Sequence, residues 1–466
     1  MSVDTNNAAF QDALNLIQYT RQSVFLTGKA GTGKSTFLRY VCENTKKKHV
    51  VLAPTGIAAI NAGGSTMHSF FKLPFYPLLP DDPNLSLQRG RIHEFFKYTK
   101  PHRKLLEQIE LVIIDEISMV RADIIDAIDR ILRVYSHNLR EPFGGKQLLL
   151  VGDVFQLEPV VKNDEREILN RFYPTPYFFS ARVFGQIDLV SIELQKVYRQ
   201  TDPVFVGVLD HIRNNTAGAA DLQLLNTRYG SQIEESEADM YITLATRRDT
   251  VDSINEKKLA ELPGDPITFE GVIEGDFPES SLPTSQELVL KPGAQIIFIK
   301  NNFDRRWVNG TIGVIAGIDE EETIYVITDD GKECDVKRES WRNIRYRYNE
   351  KTKVIEEEVL GSFTQYPIRL AWAITVHKSQ GLTFSRVVID FTGGVFAGGQ
   401  AYVALSRCTS LDGIQLKKPI NRADVFVRPE IVNFAGRFND RQAIDKALKQ
   451  AQADVQYAAA SRAFDK

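Results

Sequence analysis

The chain alternates short, continuous apolar runs with longer segments in which apolar residues return at helical spacing. Short apolar runs bounded by polar turns are typical of buried parallel strands, and the intervening segments are typical of helices packed on a sheet. This alternation predicts an α/β fold with a doubly wound sheet, and its return later in the chain predicts a second domain of related architecture with a cleft between the two. The predicted strands lie at residues 23–27, 50–53, 111–114 and 148–151 in the first domain, and at 239–246 and 386–391 in the second.

Two segments interrupt this alternation and a third follows it. Residues 72–104 contain LPFYPLLPDDP and a basic, helix-like stretch, and they predict a small insertion in the first domain, residues 1–190. Within the second domain, residues 191–435, the segment 292–361 forms strand-like runs with turns at NNFDRRWVNGT and DDGK, which predicts a small β-barrel. Residues 436–466 are polar and rich in alanine, and we expect a C-terminal helical tail.

Composition narrows the classes of protein that fit. The chain has 466 residues with 57 Lys and Arg against 60 Asp and Glu, a formal charge of −3. This balance argues against coating nucleic acid through bulk charge. Fields are screened over about 8 Å at physiological salt, so a local basic surface remains possible. Residues 300–314, including Trp307, and residues 337–348 interleave basic and aromatic side chains and are candidates for that surface, although charged runs are more often solvated faces.

No feature of the sequence predicts export or a membrane. The three cysteines, Cys42, Cys334 and Cys408, match no metal or disulfide spacing, so we expect reduced thiols. The first residues, MSVDTNNAAF, lack the basic patch and apolar core of a signal peptide, and no apolar run is long enough to span a bilayer. We therefore expect a cytoplasmic protein that does not contact a membrane.

A phosphate-binding loop stands between the first predicted strand and the next helix. Residues 28–35 are GKAGTGKS and fit the pattern G-x-x-x-x-G-K-[ST]. Glycines let backbone N–H groups wrap a phosphate, and the helix N-terminus adds its positive end. Lys34 is expected to neutralise the β- and γ-phosphates, and Ser35 to hold Mg²⁺. The residues expected to contact ATP here are Gly28, Ala30, Gly31, Thr32, Gly33, Lys34, Ser35 and Thr36.

Polar residues at the ends of two further strands complete a predicted catalytic site. Asp115 ends the run 111–114, at the edge where open α/β sheets bind their ligands, and it can hold the Mg²⁺ that Ser35 touches. Glu116 can orient and deprotonate an attacking water. Gln156, on the loop after the next strand, can sense the γ-phosphate without competing for the metal.

Two arginines are candidates for a charge that reaches the γ-phosphate from the facing domain. Arg199 lies in LQKVYRQ, and Arg407 lies in YVALSRC. An arginine in that place would close the cleft around ATP and stabilise charge in the transition state. The alternative for either residue is a surface ion pair, and spacing alone leaves the choice open.

Two polar segments are not needed for ATP and suit a nucleic-acid strand. APTGIAAINAGGSTMHSFF, residues 53–71, combines turns and hydroxyls that suit phosphodiester oxygens with aromatics that suit bases or, alternatively, the core. TVHKSQGL, residues 375–382, offers His377 and Lys378 to a strand, while Gln380 and Gly381 could face the nucleotide. One loop would then couple the state of the bound ATP to the surface that binds the nucleic-acid strand.

Seven motifs, in this order, resemble those of superfamily-one helicases of the RecD-like branch: GKAGTGKS, APTGIAA, DEIS, EPFGGKQLLLVGDVFQLEPV, VYRQ, VHKSQGLTF and YVALSRC. The PFGG-Q segment is similar to the Pif-one (petite integration frequency) helicases in particular. The resemblance spans about residues 20–415. It implies two RecA-like domains with a wedge insertion at 72–104 and an SH3-like β-barrel at 292–361. It also implies ATP-driven 5′-to-3′ movement on single-stranded DNA, unwinding of duplex or structured DNA, and work in genome maintenance.

The resemblance also assigns roles by position. It makes Asp115 the Mg²⁺ ligand and Glu116 the catalytic carboxylate, and it makes Arg199 and Arg407 the arginine fingers. Gln11 resembles the family's adenine-reading glutamine, although a plain surface glutamine fits this position equally well. Single-stranded DNA and single-strand to double-strand junctions are the implied partners, and we expect the free chain to be a monomer. The implied DNA contacts are Thr55, Gly56, Ala58, Thr66, His68, Ser69, Phe70, Thr246, Arg247, His377 and Lys378.

Three other interpretations stand beside this one. An RNA-directed helicase of the same superfamily would be stimulated by RNA rather than by DNA. A P-loop protein remodeller would need a hexamer-forming lid, for which the sequence shows no helical segment, and it would not respond to nucleic acid. A passive single-strand-binding module with a decayed ATPase conflicts with the intact Lys34, Asp115 and Glu116.

Overall fold

A six-stranded parallel sheet forms the centre of the first half of the molecule. The structure, a computed structural model, describes residues 7–87, 91–198, 200, 202–231, 240–302, 304 and 306–450. The strands of the first sheet are β1 (Val24–Gly28), β2 (His49–Ala53), β3 (Ser65–Thr66), β4 (Leu111–Ile114), β5 (Gln147–Val151) and β6 (Val190–Leu194). They pair in parallel in the order β3-β2-β4-β5-β1-β6.

A second parallel sheet is interrupted by a β insertion. After β7 (Ile242–Ala245) the chain leaves the second sheet and returns to it with three later strands, which pair in the order β18-β7-β19-β20. The insertion between them is antiparallel throughout. Its strands are β8 (Ile267–Glu270), β9 (Val272–Gly275), β10 (Glu287–Leu290), β11 (Gln295–Phe298), β12 (Ile312–Ile318), β13 (Ile324–Thr328), β14 (Glu333–Val336), β15 (Glu339–Asn349), β16 (Val354–Gln365) and β17 (Ile368–Leu370), and the returning strands are β18 (Ala373–Thr375), β19 (Val387–Asp390) and β20 (Ile414–Leu416).

Helices cover both faces of the first sheet, as the continuous apolar strands require. Val24 and Leu26 face a core with the first two helices, whereas Phe25 between them faces the opposite core, because successive side chains of a strand alternate. We call the first sheet with its helices the first lobe. Its helices are α1 (Ala8–Tyr19), α2 (Lys34–Asn44), α3 (Gly56–Ala62), α4 (Met67–Phe71), α5 (Arg91–Phe95), α6 (Lys100–Gln108), α7 (Ala122–Tyr135) and α8 (Asn163–Leu169).

The second sheet has its own core and its own helices. Apolar residues of α9, such as Phe205 and Leu209, pack with Ile242 and Leu244 of β7 in one buried cluster. We call this sheet with its helices the second lobe. Its helices are α9 (Pro203–Arg213), α10 (Ala219–Asn226), α11 (Arg248–Glu261) and α12 (Gln400–Leu405). The following helix, α13 (Pro429–Ala435), packs on the first lobe.

The domain boundaries of the structure differ from the predicted ones. β6 pairs with β1 through Leu194, so the first lobe continues past the predicted end at residue 190. The strands of the β insertion begin at Ile267 and end at Leu370, outside the predicted 292–361 on both sides. The predicted tail is part of the first lobe as far as it is described: Phe434 stacks on Phe179 at 4.3 Å, and Ile444 lies in a first-lobe core. Residues 451–466 lie outside the described residues.

The β insertion packs against the first lobe through one face of β15. Alternation along this strand turns Tyr346 and Tyr348 inward, and the Tyr346 hydroxyl accepts a hydrogen bond from the Val51 N–H at 3.3 Å. The Lys48 ammonium lies 5.3 Å from the centre of the Tyr348 ring, within range of a cation–π interaction. The basic and aromatic residues of 337–348 therefore divide between two faces, and this aromatic face is internal.

The cysteines are shielded within the folded chain. Cys334 and Cys408 are buried and Cys42 is half-buried. Burial raises the pKa of the Cys42 and Cys408 thiols to about 11.

None of the helices in the described part of the chain combines the length and apolar character that a membrane span requires.

His102 on α6 makes the free energy of unfolding depend on pH. Its ring lies between Phe70 (5.4 Å) and Tyr98 (4.8 Å), and burial, followed by the charge of Lys72, lowers its pKa from 6.5 to about 4. The unfolded chain therefore takes up a proton before the folded protein does, so stability present at neutral pH is lost as the pH falls through this range. Between pH 7 and pH 5 we expect His102 to account for a loss of at most about 2 kcal/mol.

Urea unfolding of the natural chain and of His102→Phe at both pH values measures this effect. The phenyl ring keeps the aromatic contacts but does not titrate, so the variant should lose less stability between pH 7 and pH 5. An equal loss in the two proteins would contradict the prediction.

Candidate nucleotide and nucleic-acid site

The phosphate loop connects β1 directly to α2. Its turns use left-handed backbone conformations at Gly31 (φ 80°) and at Gly33 (φ 91°), the residue that precedes the first turn of α2. Such conformations favour glycine, and they let the backbone curl ahead of the helix N-terminus. The Lys34 ammonium donates to the carbonyl oxygens of Gly28 (2.6 Å) and Lys29 (3.1 Å), which holds the charge over the loop.

A cavity of about 540 Å³ opens in front of this loop, between the two lobes. The structure therefore brings together residues that the sequence placed in separate motifs, as the predicted cleft requires. At one end Asn7 and Phe10 line the cavity, and Gln11, the predicted adenine contact, is the next residue of α1. The predicted residues that line the cavity are Ala30, Gly31, Thr32, Gly33, Lys34, Ser35, Thr36, Glu116, Gln156, Gly381 and Arg407.

The two carboxylates after β4 are close together and half-buried. The N–H of Glu116 donates to Oδ1 of Asp115 at 3.0 Å, and Glu116 adopts a left-handed backbone conformation (φ 50°). Burial, and next the charge of Asp115, raises the pKa of the Glu116 carboxyl to about 7, against the pull of Lys34. Burial also raises the pKa of Asp115. A carboxyl poised near neutrality is suited to accept a proton at physiological pH.

Arg407 connects the cavity to the turn at residues 375–382. Its side chain is 1% exposed, and Nη1 donates to the carbonyl oxygens of Ser379 (3.3 Å) and Leu382 (3.4 Å). The surface ion pair considered for this arginine is excluded by its burial. Arg199, the other predicted finger, lies outside the described residues.

The turn that Arg407 holds presents polar groups on two sides. Gly381 lines the nucleotide cavity, while Lys378 is exposed and its N–H donates to Oγ1 of Thr375 at 3.2 Å. His377 is half-buried, and burial lowers its pKa. Nε2 of Gln380 is buried with no hydrogen-bond partner among the described residues. The segment thus lies between the cavity and the surface, as its sequence predicts.

Two short helices of the first lobe begin side by side beyond β2 and β3. Oγ1 of Thr55 accepts from the N–H of Ala58 (3.2 Å) at the start of α3, and Oγ1 of Thr66 accepts from the N–H of Ser69 (3.1 Å) at the start of α4. Because these strands are parallel neighbours, both helix starts lie at the carboxyl edge of the sheet. Backbone amides and hydroxyls are thereby grouped on one surface.

The β insertion approaches the first of these helix starts closely. A side-chain carbon at Gly56 would lie 2.8 Å from the Cα of Ser281, so no side chain fits there in this arrangement. Ile60 of α3 packs with Phe277 and Leu282 of the insertion. In this structure the surface around Gly56 is therefore partly covered by the insertion.

Some predicted DNA contacts are core residues in this structure. Phe70 is buried and makes an edge contact with Phe71 at 4.8 Å, and Trp307 is 4% exposed and stacks on Phe298 at 4.4 Å. Thr246 is also buried. Packing leaves these side chains no open face for a base or phosphate, which conflicts with the predicted contacts in this arrangement.

Other predicted contacts keep a polar or aromatic surface. His68 is half-buried, stacks on Phe75 at 5.0 Å, and has its pKa lowered by burial. Phe75 itself is 83% exposed and was not predicted as a contact. Arg247 is exposed, and its Nε donates to the Gly393 carbonyl at 3.1 Å.

Two contacts between the phosphate loop and the second lobe are not predicted by the sequence. Lys29 of the phosphate loop forms an ion pair of 2.5 Å with Asp210 of α9, and the Tyr402 hydroxyl of α12 accepts a hydrogen bond from the Ala30 N–H at 3.2 Å. Both pairs join residues far apart in the chain, and local sequence carries no signal for such a pairing.

The geometry of the cavity defines a class of protein. A phosphate loop and half-buried carboxylates on one α/β lobe face a buried arginine from a second lobe, which is the arrangement of a two-lobed P-loop ATPase. A family model described as PIF1-like helicase matches residues 4–212. The chain belongs to the PIF1-like helicase family.

Individual relatives support this assignment over most of the chain. The ATP-dependent DNA helicase Pif1 of Campylobacter jejuni is 34% identical over 412 residues, covering 84% of this chain and 88% of that protein. Bacteroides sp Pif1, in its crystal structure in complex with ADP-AlF4, is 41% identical to this chain in sequence. The match covers 92% of this chain and 96% of that chain, and the two structures superpose with a TM-score of 0.84. Bacteroides Pif1 bound to ssDNA, also 41% identical and covering 94% and 97%, superposes with a TM-score of 0.66.

The burial of Trp307 yields a direct prediction. Trp307→Leu should lower the free energy of unfolding by about 2–4 kcal/mol, because it leaves a cavity beside Phe298. Its affinity for single-stranded DNA, measured by fluorescence anisotropy where the protein is folded, should fall no more than that of Phe298→Leu, a change in the same ring pair. A loss of affinity confined to Trp307→Leu would restore Trp307 as a DNA contact.

Proposed function

We propose that this ATP-dependent DNA helicase hydrolyses ATP between its lobes while it moves 5′-to-3′ along a single strand that crosses both lobes. One observation carries the proposal: Arg407, in the wall of the nucleotide cavity, is bonded to the turn that exposes Lys378. ATP and the strand would then act on the two sides of one turn.

In the ATP site, each described residue has a distinct task. Lys34 binds the β- and γ-phosphates, and Gln156 contacts the γ-phosphate from the loop after β5. Glu116 orients the attacking water and accepts its proton, which suits its raised pKa. Arg407 stabilises negative charge that develops on the phosphate, and it acts from a buried site where such a charge is poorly screened.

A magnesium ion fits the donor set of this site. Ser35 at the start of α2 offers a hydroxyl and Asp115 after β4 offers a half-buried carboxylate, and oxygen donors are the ligands that Mg²⁺ prefers. Bound there, the ion would neutralise phosphate charge. Asp115, held by the N–H of Glu116, is fixed in position for this task.

Single-stranded DNA would be held mainly through its phosphates. The starts of α3 and α4, with Thr55, Ala58, Thr66 and Ser69, provide amides and hydroxyls on the first lobe. The second lobe provides Arg247, His377 and Lys378. Grip on phosphates carries no sequence information, so we expect binding that weakens with salt and varies little with sequence. Gly56 lies on the same surface and becomes accessible only if the β insertion withdraws from it.

The two insertions would act on the duplex ahead of the strand. We assign the wedge to residues 72–104, where Phe75 is exposed beside His68, and an SH3-like barrel to the β insertion. The substrates would be single-strand to double-strand junctions and structured DNA met in genome maintenance, and the free protein would be a monomer.

Lys34→Ala tests the ATP site. Hydrolysis and unwinding should fall to background, because Lys29, the other lysine of the phosphate loop, is paired with Asp210 and does not replace the charge of Lys34. Nucleotide-free binding to single-stranded DNA should persist. Lys46→Ala, which removes an exposed lysine just beyond α2, should retain activity. Unwinding by Lys34→Ala with ATP would refute the assignment.

Strand preference and direction are tested together. ATP turnover should rise on addition of single-stranded DNA and rise much less with RNA of the same sequence. A duplex with a 5′ single-stranded tail should be unwound, whereas the same duplex with a 3′ tail should not. Equal stimulation by RNA would favour the RNA-directed alternative. ATP turnover that neither strand changes would contradict the proposed coupling between ATP hydrolysis and strand binding.

A further inference from the structure

Arg213 is a buried charge that crosses from one lobe to the other. It is the last residue of α9, whose apolar side chains, including Leu209 and Ile212, lie in the core of the second lobe. Its own side chain is 3% exposed and points at the first lobe. Such a charge is stable only if it is paired, and removing one partner of a buried pair is costly.

The partners of Arg213 belong to the first lobe. Nη2 donates to Oδ1 of Asp153 at 3.1 Å, and Nη1 lies 2.8 Å from Oε1 of Glu193, a contact without hydrogen-bond geometry. The guanidinium carbon lies 4.3 Å from the centre of the Phe155 ring, in range of a cation–π interaction. All three partners are at the carboxyl edge of the first sheet, beyond β5 or at the end of β6.

Asp153 connects Arg213 to a residue of the nucleotide cavity. Its Oδ2 accepts a hydrogen bond from Nε2 of Gln156 at 3.3 Å, and its Oδ1 also accepts from the N–H of Phe155 at 3.2 Å. Gln156 lines the cavity in front of the phosphate loop. Arg213 therefore reaches the cavity through two side chains, without lining the cavity itself.

The second lobe also contacts this loop from another direction. The side chain of Leu157 lies in the apolar core of the second lobe. The backbone at Gly399, just before α12, runs so close to the loop that an added side-chain carbon would lie 2.9 Å from the carbonyl carbon of Gln156. The loop 153–157 is thus held between the end of α9 and the start of α12.

Buried polar groups at this joint are incompletely satisfied. Nε of Arg213, Oε1 of Glu193 and Nε2 of Gln400 have no hydrogen-bond partner among the described residues. Buried polar groups are nearly always hydrogen-bonded in folded proteins, so these three groups set the joint apart from the cores of the lobes. The same helix also holds the phosphate loop, since Asp210, one turn before Arg213, pairs with Lys29.

We propose that Arg213 is a positioning residue that sets the orientation of Gln156 according to the position of the second lobe. When the lobes close, α9 brings Arg213 onto Asp153, and Asp153 turns the Gln156 amide toward the γ-phosphate. When they separate, Asp153 loses its charge partner and the amide loses its support. The proposal rests on the γ-phosphate role proposed above for Gln156, and it names the residue that makes this role depend on lobe closure.

The test is steady-state ATP hydrolysis at saturating single-stranded DNA in three variants: Arg213→Gln, Gln156→Ala and the two combined. Arg213→Gln should lower kcat by about ten- to a hundredfold, as expected for misplacement of a group that acts on the reaction, with little change in the KM for ATP. The double variant should be no slower than Gln156→Ala alone, because Arg213 acts through Gln156.

Two controls separate positioning from general packing. Arg422→Gln makes the same chemical change at an arginine whose guanidinium bonds to Asn215 and Val425 within the second lobe, and it should leave kcat unchanged. Arg213→Lys keeps the charge but loses the planar fork, so it should restore part of the kcat lost in Arg213→Gln. If Arg213→Gln does not fold, Arg213→Lys alone and with Gln156→Ala gives the same comparison.

Three results would overturn the proposal: an unchanged kcat in Arg213→Gln, losses that multiply in the double variant, or an equal loss of DNA binding by the nucleotide-free protein. A different result would count against the role of Gln156 instead. If Gln156→Ala hydrolyses ATP normally while Arg213→Gln is slow, the γ-phosphate assignment fails and Arg213 acts by another route.

Discussion

Asp153 is a carboxylate buried in the first lobe whose charge partner lies on the second. A buried charge without a partner is strongly unfavourable, so the arrangement of the two lobes is restricted to positions in which Arg213 can reach it or in which water can enter and replace it. Leu157 adds an apolar part to the same contact, because its side chain belongs to the second lobe's core. This joint acts together with the Lys29–Asp210 ion pair and the Ala30–Tyr402 hydrogen bond to hold the two lobes on either side of the cavity.

The cavity owes its chemistry to the carboxyl edges of parallel strands. Three strands of the first sheet deliver the elements of the nucleotide site at this edge: the phosphate loop after β1, the carboxylates after β4 and the loop with Gln156 after β5. The second lobe contributes Arg407, whose guanidinium donates to the backbone carbonyl groups of Val403 and Ser379. Its positive charge is therefore not neutralised by those partners and remains directed to the site where phosphate negative charge is expected.

The pattern of neighbouring residues predicted those parts of the fold that depend on residues close together in the chain. Six strands of the two parallel sheets, β1, β2, β4, β5, β7 and β19, lie in predicted apolar runs, and the phosphate loop carries its own glycines, so these parts could be placed from the sequence. The strands β3, β6, β18 and β20 were not predicted. The predicted cleft also followed, because parallel strands deliver polar residues to one edge. Trp307 and Phe70, predicted as DNA contacts, pack in cores of this structure, because an aromatic beside basic residues looks the same in the sequence whether its ring meets a base or a core.

Contacts between residues far apart in the chain could not be predicted from the sequence. Arg213 lies in an ordinary amphipathic helix, and nothing near it in the chain indicates that Asp153, sixty residues earlier, is its partner. The boundaries of the β insertion were misjudged because its outer strands, such as β8 and β17, are short and resemble connecting segments. The return of Phe434 and Ile444 to the first lobe depends in the same way on contacts that sequence spacing does not display.

The shielded thiols of this chain have a practical consequence. A thiol with a pKa near 11 is almost wholly protonated at neutral pH, and the protonated form does not attack maleimides or similar reagents. Cysteines introduced on the surface of each lobe would therefore accept fluorophores or spin labels in preference to Cys42 and Cys408. The distance between the lobes can then be followed during turnover without first removing the natural cysteines and disturbing the cores that contain them.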